Sequence, residues 1–371
     1  MDPGATVPGS DEVEHMDIER AKIFRPVAEP RVIEGAYSED QHRRLHRRLL
    51  EVVRNNGPWS LIISQHFKSA EELIATTSGS LPEGVEPTLD MFLSPVFRGY
   101  YSYGGVCSQP EIEGCFYNPK FLQLVRDYWG AKYAEPDSML FNIQGPCGGA
   151  GNPHVDATRF RGLTLDNTPI WLMNTMVKSG LFKHWQARKA QVIAWYYKGK
   201  VGGGFTYWPD GPHEQPKQIH APMWGRAVVV ENEMMFHTAQ SNGPSALRKP
   251  EGLAFESVME ADPQVAGGWR IRTGEQVIQQ IPEEEFRFLV HWGANVYMDL
   301  DELKRTVDHT DDISHQQVFD IFMQDLKRRG IQFEEPGDPL TDRAFIGLLT
   351  GVYNVGAPLY FPPEPDDELA A

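Results

Sequence analysis

Between residues 140 and 260 the chain breaks into short runs rich in β-branched and aromatic residues, separated by Gly and Pro clusters. LFNIQ (140–144), QVIAWYYK (191–198), GFTYW (204–208), RAVVVE (226–231) and LAFESVME (253–260) carry the residue types that suit a pleated, half-buried surface. No regular alternation of strand and helix accompanies them, which excludes a doubly wound parallel sheet. The pattern predicts a mainly β fold with flanking helices, its strands spaced as in a sandwich or barrel. No segment repeats at a solenoid period.

Four helices announce themselves by boundary chemistry. Ser38 with Gln41 forms a capping box ahead of Leu45, Leu49 and Val53, and Asn55-Asn56-Gly57-Pro58 ends that run. Ser69 with Glu72 repeats the signal. Asn118 and Pro119 read as N-cap and first helical residue before Phe121, Leu124, Val125 and Tyr128, with Gly130 as the stop. Ser314 with Gln317 opens a helix carrying Val318, Ile321, Phe322 and Leu326, closed by Gly330. Residues 1–25 are expected to be a mobile segment and 26–275 a single domain with its strand core at about 135–275. Residues 276–360 are expected to form a helical extension packed on that core, offering a surface for a homodimer, and 361–371 an acidic tail.

Composition narrows the function classes. Of 371 residues, 41% are hydrophobic and 23% charged, an ordinary globular balance that excludes fibrous and wholly disordered chains. Lys and Arg number 35 against 51 Asp and Glu, a formal net charge of -16 that repels phosphate backbones and anionic membranes, so neither nucleic acid nor membrane is an expected partner. The basic run HRRLHRR (42–48) fits a helix with Leu45 and Leu49 inward and its charges in solvent. No apolar run reaches the roughly 20 residues of a membrane span, and no apolar leader precedes the acidic start, so a cytoplasmic protein is expected. Cys107, Cys115 and Cys147 are odd in number without a CxxC pair, which argues for reduced thiols rather than a disulfide framework or structural zinc site.

The chemistry concentrates in Asn152-Pro153-His154-Val155-Asp156. On an extended strand, residues two apart face the same side, so His154 and Asp156 can offer an imidazole and a carboxylate to one metal ion. After 83 further residues (237 − 154) the run GRAVVVENEMMF ends in His237, and two His with one carboxylate make the facial triad of non-haem Fe(II). His213, in a Pro-Asp-Gly-Pro-His turn, and His220 are the alternative third ligands. The stretch 147–151, Cys-Gly-Gly-Ala-Gly, lacks the GK[ST] of a phosphate loop and reads as a turn into the HxD strand. Among Trp195, Tyr197, Phe205, Tyr207 and Trp208, most are expected in the core, with one set available to line a substrate pocket. Arg159 and Arg161 can either bind an anionic group or remain surface charges.

The order HxD, GGGFTYWPDG (202–211), Pro222-x-x-Gly225-Arg226 with its hydrophobic strand, then His237, Asn242 and a basic residue, resembles the Fe(II)/2-oxoglutarate-dependent oxygenases. Within that superfamily it is most similar to the phytanoyl-CoA hydroxylase branch, in which an Asn and then an Arg follow the last metal histidine. The resemblance spans residues 135–260 and implies a double-stranded β-helix, a jelly roll holding the metal at its open end. It further implies Fe(II) on His154, Asp156 and His237, with 2-oxoglutarate and O2 as co-substrates. Fe(II), one Asp and a 2-oxoglutarate dianion leave one excess negative charge, and a guanidinium on the distal carboxylate neutralises it by a two-pronged bond. Arg248, eleven positions past His237 (248 − 237), takes that role in the resemblance, with Lys249, Arg226, Arg270 and Arg272 as alternatives. The family's last core strand usually carries this Arg, whereas here Pro250 follows within two residues. Related halogenases lack the carboxylate at the Asp156 position, so the resemblance implies hydroxylation, desaturation or cyclisation of a small organic molecule, with release of succinate and CO2. Two rival classes remain at this point: a cupin-like metalloenzyme that does not use 2-oxoglutarate, and a non-catalytic small-molecule binding protein.

Overall fold

Antiparallel strands organise the molecule, and in chain order they are β1 (Arg31–Ile33), β2 (Trp59–Ser60), β3 (Val96–Tyr103), β4 (Val106–Cys107), β5 (Tyr133–Gln144), β6 (Arg188–Tyr197) and β7 (Phe205–Trp208). They continue as β8 (Lys217–Ile219), β9 (Met223–Val230), β10 (Phe236–Ala239), β11 (Val258–Ala261), β12 (Trp269–Thr273), β13 (Gln276–Ile281) and β14 (Arg287–Tyr297). The structure, a computed structural model, describes residues 21–34, 39–77, 86–149 and 153–365. A seven-stranded sheet runs β1-β9-β6-β14-β5-β3-β4, and a three-stranded sheet runs β10-β7-β8, with antiparallel pairing throughout. An antiparallel bridge between His154 and His237 adds a fourth position beside β10.

The path of the chain identifies the barrel. It passes from β5 in the large sheet to His154 beside the small one, then to β6, across to β7 and β8, back to β9, across to β10, and finally to β14. Such shuttling between two facing sheets is the winding of a double-stranded β-helix, and the expected jelly-roll core is present. Ile193, Trp195, Tyr197, Val228 and Val230 of the large sheet meet Phe205, Tyr207 and Ile219 of the small sheet in its interior.

Two further apolar layers clad the barrel. On the outer face of the large sheet, Phe141, Phe288 and Trp292 pack against Leu49 and Val53 of helix Glu39–Asn56 and Phe121 and Val125 of helix Pro119–Trp129. On the far side of the small sheet, Trp208 and Phe236 meet Leu172 and Met176 of helix Ile170–Ser179, Phe322 of helix His315–Arg328 and Leu349 of helix Arg343–Val352. A third sheet, of four strands, runs β13-β12-β11-β2; its strands β11, β12 and β13 lie between β10 and β14 in sequence, and it joins the outer layer through Met259, Trp269 and Ile271.

The local signals map onto these elements. The Asn118 side chain accepts from the Lys120 and Phe121 amides, and Gly130 ends that helix at φ 65°. Ser314 and Gln317 form the reciprocal capping box of helix His315–Arg328. Helices Glu39–Asn56 and Ala70–Thr77 occupy the other expected positions, while Ser38 lies outside the described residues.

Three expected boundaries are corrected. Residues 276–297 are not helical: they form β13 and β14, and β14 is the centre of the large sheet, so the C-terminal helices begin only at Leu300. The cause is that β14 is covered on both sides and so lacks the in-out alternation of a half-exposed strand. Within 1–25, Ala21 and Phe24 are buried, and only 1–20 lie outside the described residues. Within 361–371, the Phe361 ring rests on Trp208 at 5.9 Å and the Pro365 carbonyl accepts from Arg248, while 366–371 lie outside the described residues. Among the described residues, no helix is long and apolar enough to cross a membrane.

Candidate metal centre

The backbone itself brings the two histidines together. The His154 amide donates to the His237 carbonyl at 3.0 Å and the His237 amide donates back at 2.9 Å, which sets the two rings 4.6 Å apart. The Asp156 amide donates to the Asn232 carbonyl at 3.0 Å, turning its carboxylate toward the same point. Asp156 Oδ1 lies 3.8 Å from His154 Nε2 and 3.6 Å from His237 Nε2, and the three donor atoms all fall within 4.8 Å of one another. Metal bonds of about 2.1 Å at right angles need donors about 3 Å apart, so the site closes when the two Asp156 contacts shorten by under about 1 Å and the widest pair by under about 2 Å.

Protonation states suit a divalent cation. A carbonyl can only accept, so the 3.0 Å contact between His237 Nδ1 and the Met235 carbonyl fixes the proton on Nδ1 and leaves the Nε2 lone pair facing Asp156. Burial pushes the His237 pKa down to about 4 despite the opposing pull of Asp156, so the ring is neutral at pH 7. Burial raises the Asp156 carboxyl, but His237, His291, His154 and Arg98 outweigh it and hold it well below the usual range. Neutral imidazoles and an ionised carboxylate are the forms that bind metal. His237 is buried, whereas 49% of the His154 side chain is exposed, so the centre is walled on one side and open on the other. The Phe205 ring, 5.5 Å from that of His237, forms part of the wall.

Neither alternative histidine joins this group: the triad is the metal-competent His/Cys/Asp/Glu cluster found among the described residues. His220 is exposed and gives its carbonyl to Arg226, and His213 stays in its half-buried turn. Residues 150–152 of the Gly-rich turn lie outside the described residues, but Cys147 exchanges backbone bonds of 2.9 and 2.8 Å with Asn242.

Arg248 is not on the last core strand. It follows a 3-10 turn, Ser245–Leu247, because Pro250 prevents a strand there. Its Nε donates to the Gly243 carbonyl at 3.0 Å, Nη1 to Glu364 at 3.2 Å and Nη2 to the Pro365 carbonyl at 3.0 Å, so all its nitrogens are engaged by the chain itself. Lys249 is exposed, Arg226 pairs with Glu34, and Arg270 and Arg272 both pair with Glu260.

The residue that meets the requirement is Arg287, first on β14 and 1% exposed. Phe288, Val290 and Trp292 belong to the outer core, so strand alternation turns Arg287, Leu289 and His291 to the barrel interior. Its Nε donates to the Gly203 carbonyl at 2.9 Å and Nη1 to Gln144 Oε1 at 3.4 Å, while Nη2 has no partner. No carboxylate among the described residues pairs with it. Burial lowers its pKa to about 10, so it remains charged at neutral pH. Gln144 in turn donates to Asn242, the Asn of the motif, whose side-chain amide donates to the Gly145 carbonyl at 2.9 Å. A buried cation without a counter-ion costs several kcal/mol, so this pocket has the donors and charge for an anion.

Arg287 and His291 were both legible only through β14, whose run RFLVHWGANVY is rich in β-branched and aromatic residues. Arg159 and Arg161, the other basic residues near the triad in sequence, are paired with Asp137 at 2.5 Å and Asp311 at 2.7 Å. Trp195, Tyr197, Phe205 and Tyr207 line the barrel interior, while Trp208 faces the C-terminal helices.

No protein-family model and no curated protein matches the chain. Among solved structures it is similar to an oxidoreductase of the 2OG-Fe(II) oxygenase family from Burkholderia pseudomallei, at 11% identity and a TM-score of 0.37, over 80% of this chain and 95% of that one. It is also similar to a prolyl hydroxylase from Trichoplax adhaerens, in complex with a hypoxia inducible factor peptide fragment, at 8% identity and a TM-score of 0.36, over 82% and 99% of the two chains. HygX from Streptomyces hygroscopicus, with nickel, 2-oxoglutarate and hygromycin B bound, matches at 8% identity and a TM-score of 0.35, over 78% and 87%. Likeness this distant carries no functional weight, which rests instead on the site residues.

Proposed function

We propose that the protein is a non-haem Fe(II)- and 2-oxoglutarate-dependent oxygenase acting on a small organic molecule. The observation that carries this reading is the pairing of a His-Asp-His cluster with a buried, counter-ion-free Arg287 inside one barrel. A metal triad alone is compatible with a cupin-like enzyme, but an unneutralised interior guanidinium calls for an anionic co-substrate. Fe(II) on the triad and 2-oxoglutarate on Arg287 add up to zero charge, since the +2 ion and the guanidinium balance Asp156 and the dianion.

When bound, the metal and its co-substrates supply an oxidation of substrate by O2, coupled to decarboxylation of 2-oxoglutarate to succinate and CO2. The chain's part is positioning. Met235 holds the His237 tautomer, Gln144 and Gly203 hold the plane of the Arg287 guanidinium, and Trp195, Phe205 and Tyr207 keep water from the interior. With Asp156 on the metal, we expect hydroxylation, desaturation or cyclisation. The phytanoyl-CoA hydroxylase branch rests on Asn242 and the spacing to Arg248 in the sequence, and we keep the proposal at the level of the superfamily.

The test is binding of 2-oxoglutarate by isothermal titration to protein loaded with Mn(II) under nitrogen. One equivalent should bind only when metal is present, and His237→Ala should remove both. Metal-independent binding, or none, would contradict the reading.

A further inference from the structure

One cation near the metal centre is left over once 2-oxoglutarate has been assigned. Arg98 lies on β3, which edges β5, and its Cα partner there is Asn142. Phe97 and Tyr101 of β3 and Phe141 and Ile143 of β5 enter the outer core, so Arg98 and Asn142 share the opposite face, the one that carries His291 on β14. Arg98 Nε donates to Asn142 Oδ1 at 2.9 Å, which aims the rest of the guanidinium past the strand. Among the described residues no carboxylate pairs with Arg98, and its two terminal nitrogens make no hydrogen bond. The residue is half-buried, so those nitrogens are reachable from solvent. Its charge is felt at the site: Arg98 adds to the burial that lowers the pKa values of His291 and His66, and works against the burial that raises that of Asp156.

The backbone below Arg98 is held firmly. The Gln65 side chain donates to its carbonyl at 2.8 Å, Leu61 bridges to Phe97, and a Cβ at Gly99 would overlap the rings of Phe141 and Trp59. The cations at the opposite ends of these strands are neutralised: Arg159 and Lys189 by Asp137, Arg161 by Asp311, and Arg188 by Glu302. With Fe(II), Asp156, 2-oxoglutarate and Arg287 summing to zero, Arg98 leaves one positive charge at the open side of the centre.

We propose that Arg98 docks an oxyanion carried by the substrate, a carboxylate, sulfonate or phosphate, and so orients the substrate's reacting carbon toward the triad. The assignment rests on the oxygenase reading given above and extends it to a substrate class.

The test uses full-length protein loaded with Co(II) and 2-oxoglutarate, titrated with hexanoate, hexanesulfonate, hexyl phosphate and hexan-1-ol as matched probes. At least one anion should bind about tenfold or more tightly than the alcohol, as expected for a charge-assisted hydrogen bond, and the preferred anion identifies the headgroup. R98Q should lose that preference, R98K should keep part of it, and both should bind 2-oxoglutarate as the wild type does. The proposal is overturned if no anion outbinds the alcohol, or if R98Q keeps the preference. It is equally overturned if R98Q loses 2-oxoglutarate affinity, which would make Arg98 the co-substrate anchor. A wild-type protein that takes up no 2-oxoglutarate before any probe is added would contradict the oxygenase reading itself, a failure distinct from the others.

Discussion

The two faces of β14 differ as much as two residue sets on one strand can. Outward it presents Phe288, Val290, Trp292 and Ala294 to an apolar layer, and inward it presents Arg287, Leu289 and His291 to the barrel. Trp292 is fully buried and its indole nitrogen donates to the Phe116 carbonyl at 2.7 Å, so every polar atom it buries is satisfied. Arg287 is equally buried, yet one of its nitrogens is unpartnered and its charge is uncompensated. Burial on the outer face stabilises the fold, whereas on the inner face it costs stability and is offset only when a ligand arrives.

Substitutions on each face should therefore fail in opposite ways. Trp292→Ala should have the largest effect on the fold, lowering stability by about 3–5 kcal/mol in urea unfolding, with unchanged metal affinity in the molecules that stay folded. Arg287→Met should lower 2-oxoglutarate affinity about a hundredfold by calorimetry and leave stability no more than about 1 kcal/mol below wild type, because the lost hydrogen bonds are offset by removal of a buried charge. A strongly destabilised Arg287→Met that still binds 2-oxoglutarate would erase the distinction between the faces.

A buried acidic pair tests the same contrast by pH. Burial pushes the Glu231 carboxyl up to about 8 and that of Glu233 up to about 7. For a carboxyl raised in the folded state, the unfolded chain loses its proton first. Stability should therefore fall as pH rises from the ordinary carboxylate range to about 8 for Glu231, and level off above that. Glu231→Gln should match wild type near pH 4 and exceed it by a few kcal/mol above pH 8 in thermal melts at constant salt. The smallest effect belongs to Arg248→Ala: 2-oxoglutarate affinity unchanged, and stability lowered by about 1 kcal/mol through the lost contacts to Glu364 and Pro365.

What was legible in the sequence was whatever carried a local signal. The Asn118 and Gly130 caps, the Ser314 and Gln317 box and the two-residue spacing of His154 and Asp156 each act through neighbours in the chain, and each is found in place. His237 was reachable because a strand-like run led to it. Helix Ile170–Ser179 escaped notice because it starts after Pro169 with no side-chain cap. Arg287, the anchor we propose, was missed for a non-local reason: the four-stranded sheet holding β11, β12 and β13 intervenes after β10, so the last core strand opens 50 positions past His237 (287 − 237) rather than eleven. A doubly buried strand such as β14 also lacks the alternation that marks half-exposed ones, which made the segment read as part of a helical extension.

The central claim is that one barrel interior holds both a metal triad and an anion anchor at Arg287. Its most direct test is the visible metal-to-ligand charge-transfer band formed when Fe(II) and then 2-oxoglutarate are added to the apoprotein without oxygen. The band should appear in wild type and in Arg248→Ala, vanish in His154→Ala, and need far more 2-oxoglutarate in Arg287→Gln. Fe(II) binding with no band, or a band indifferent to Arg287 and lost with Arg248, would contradict it.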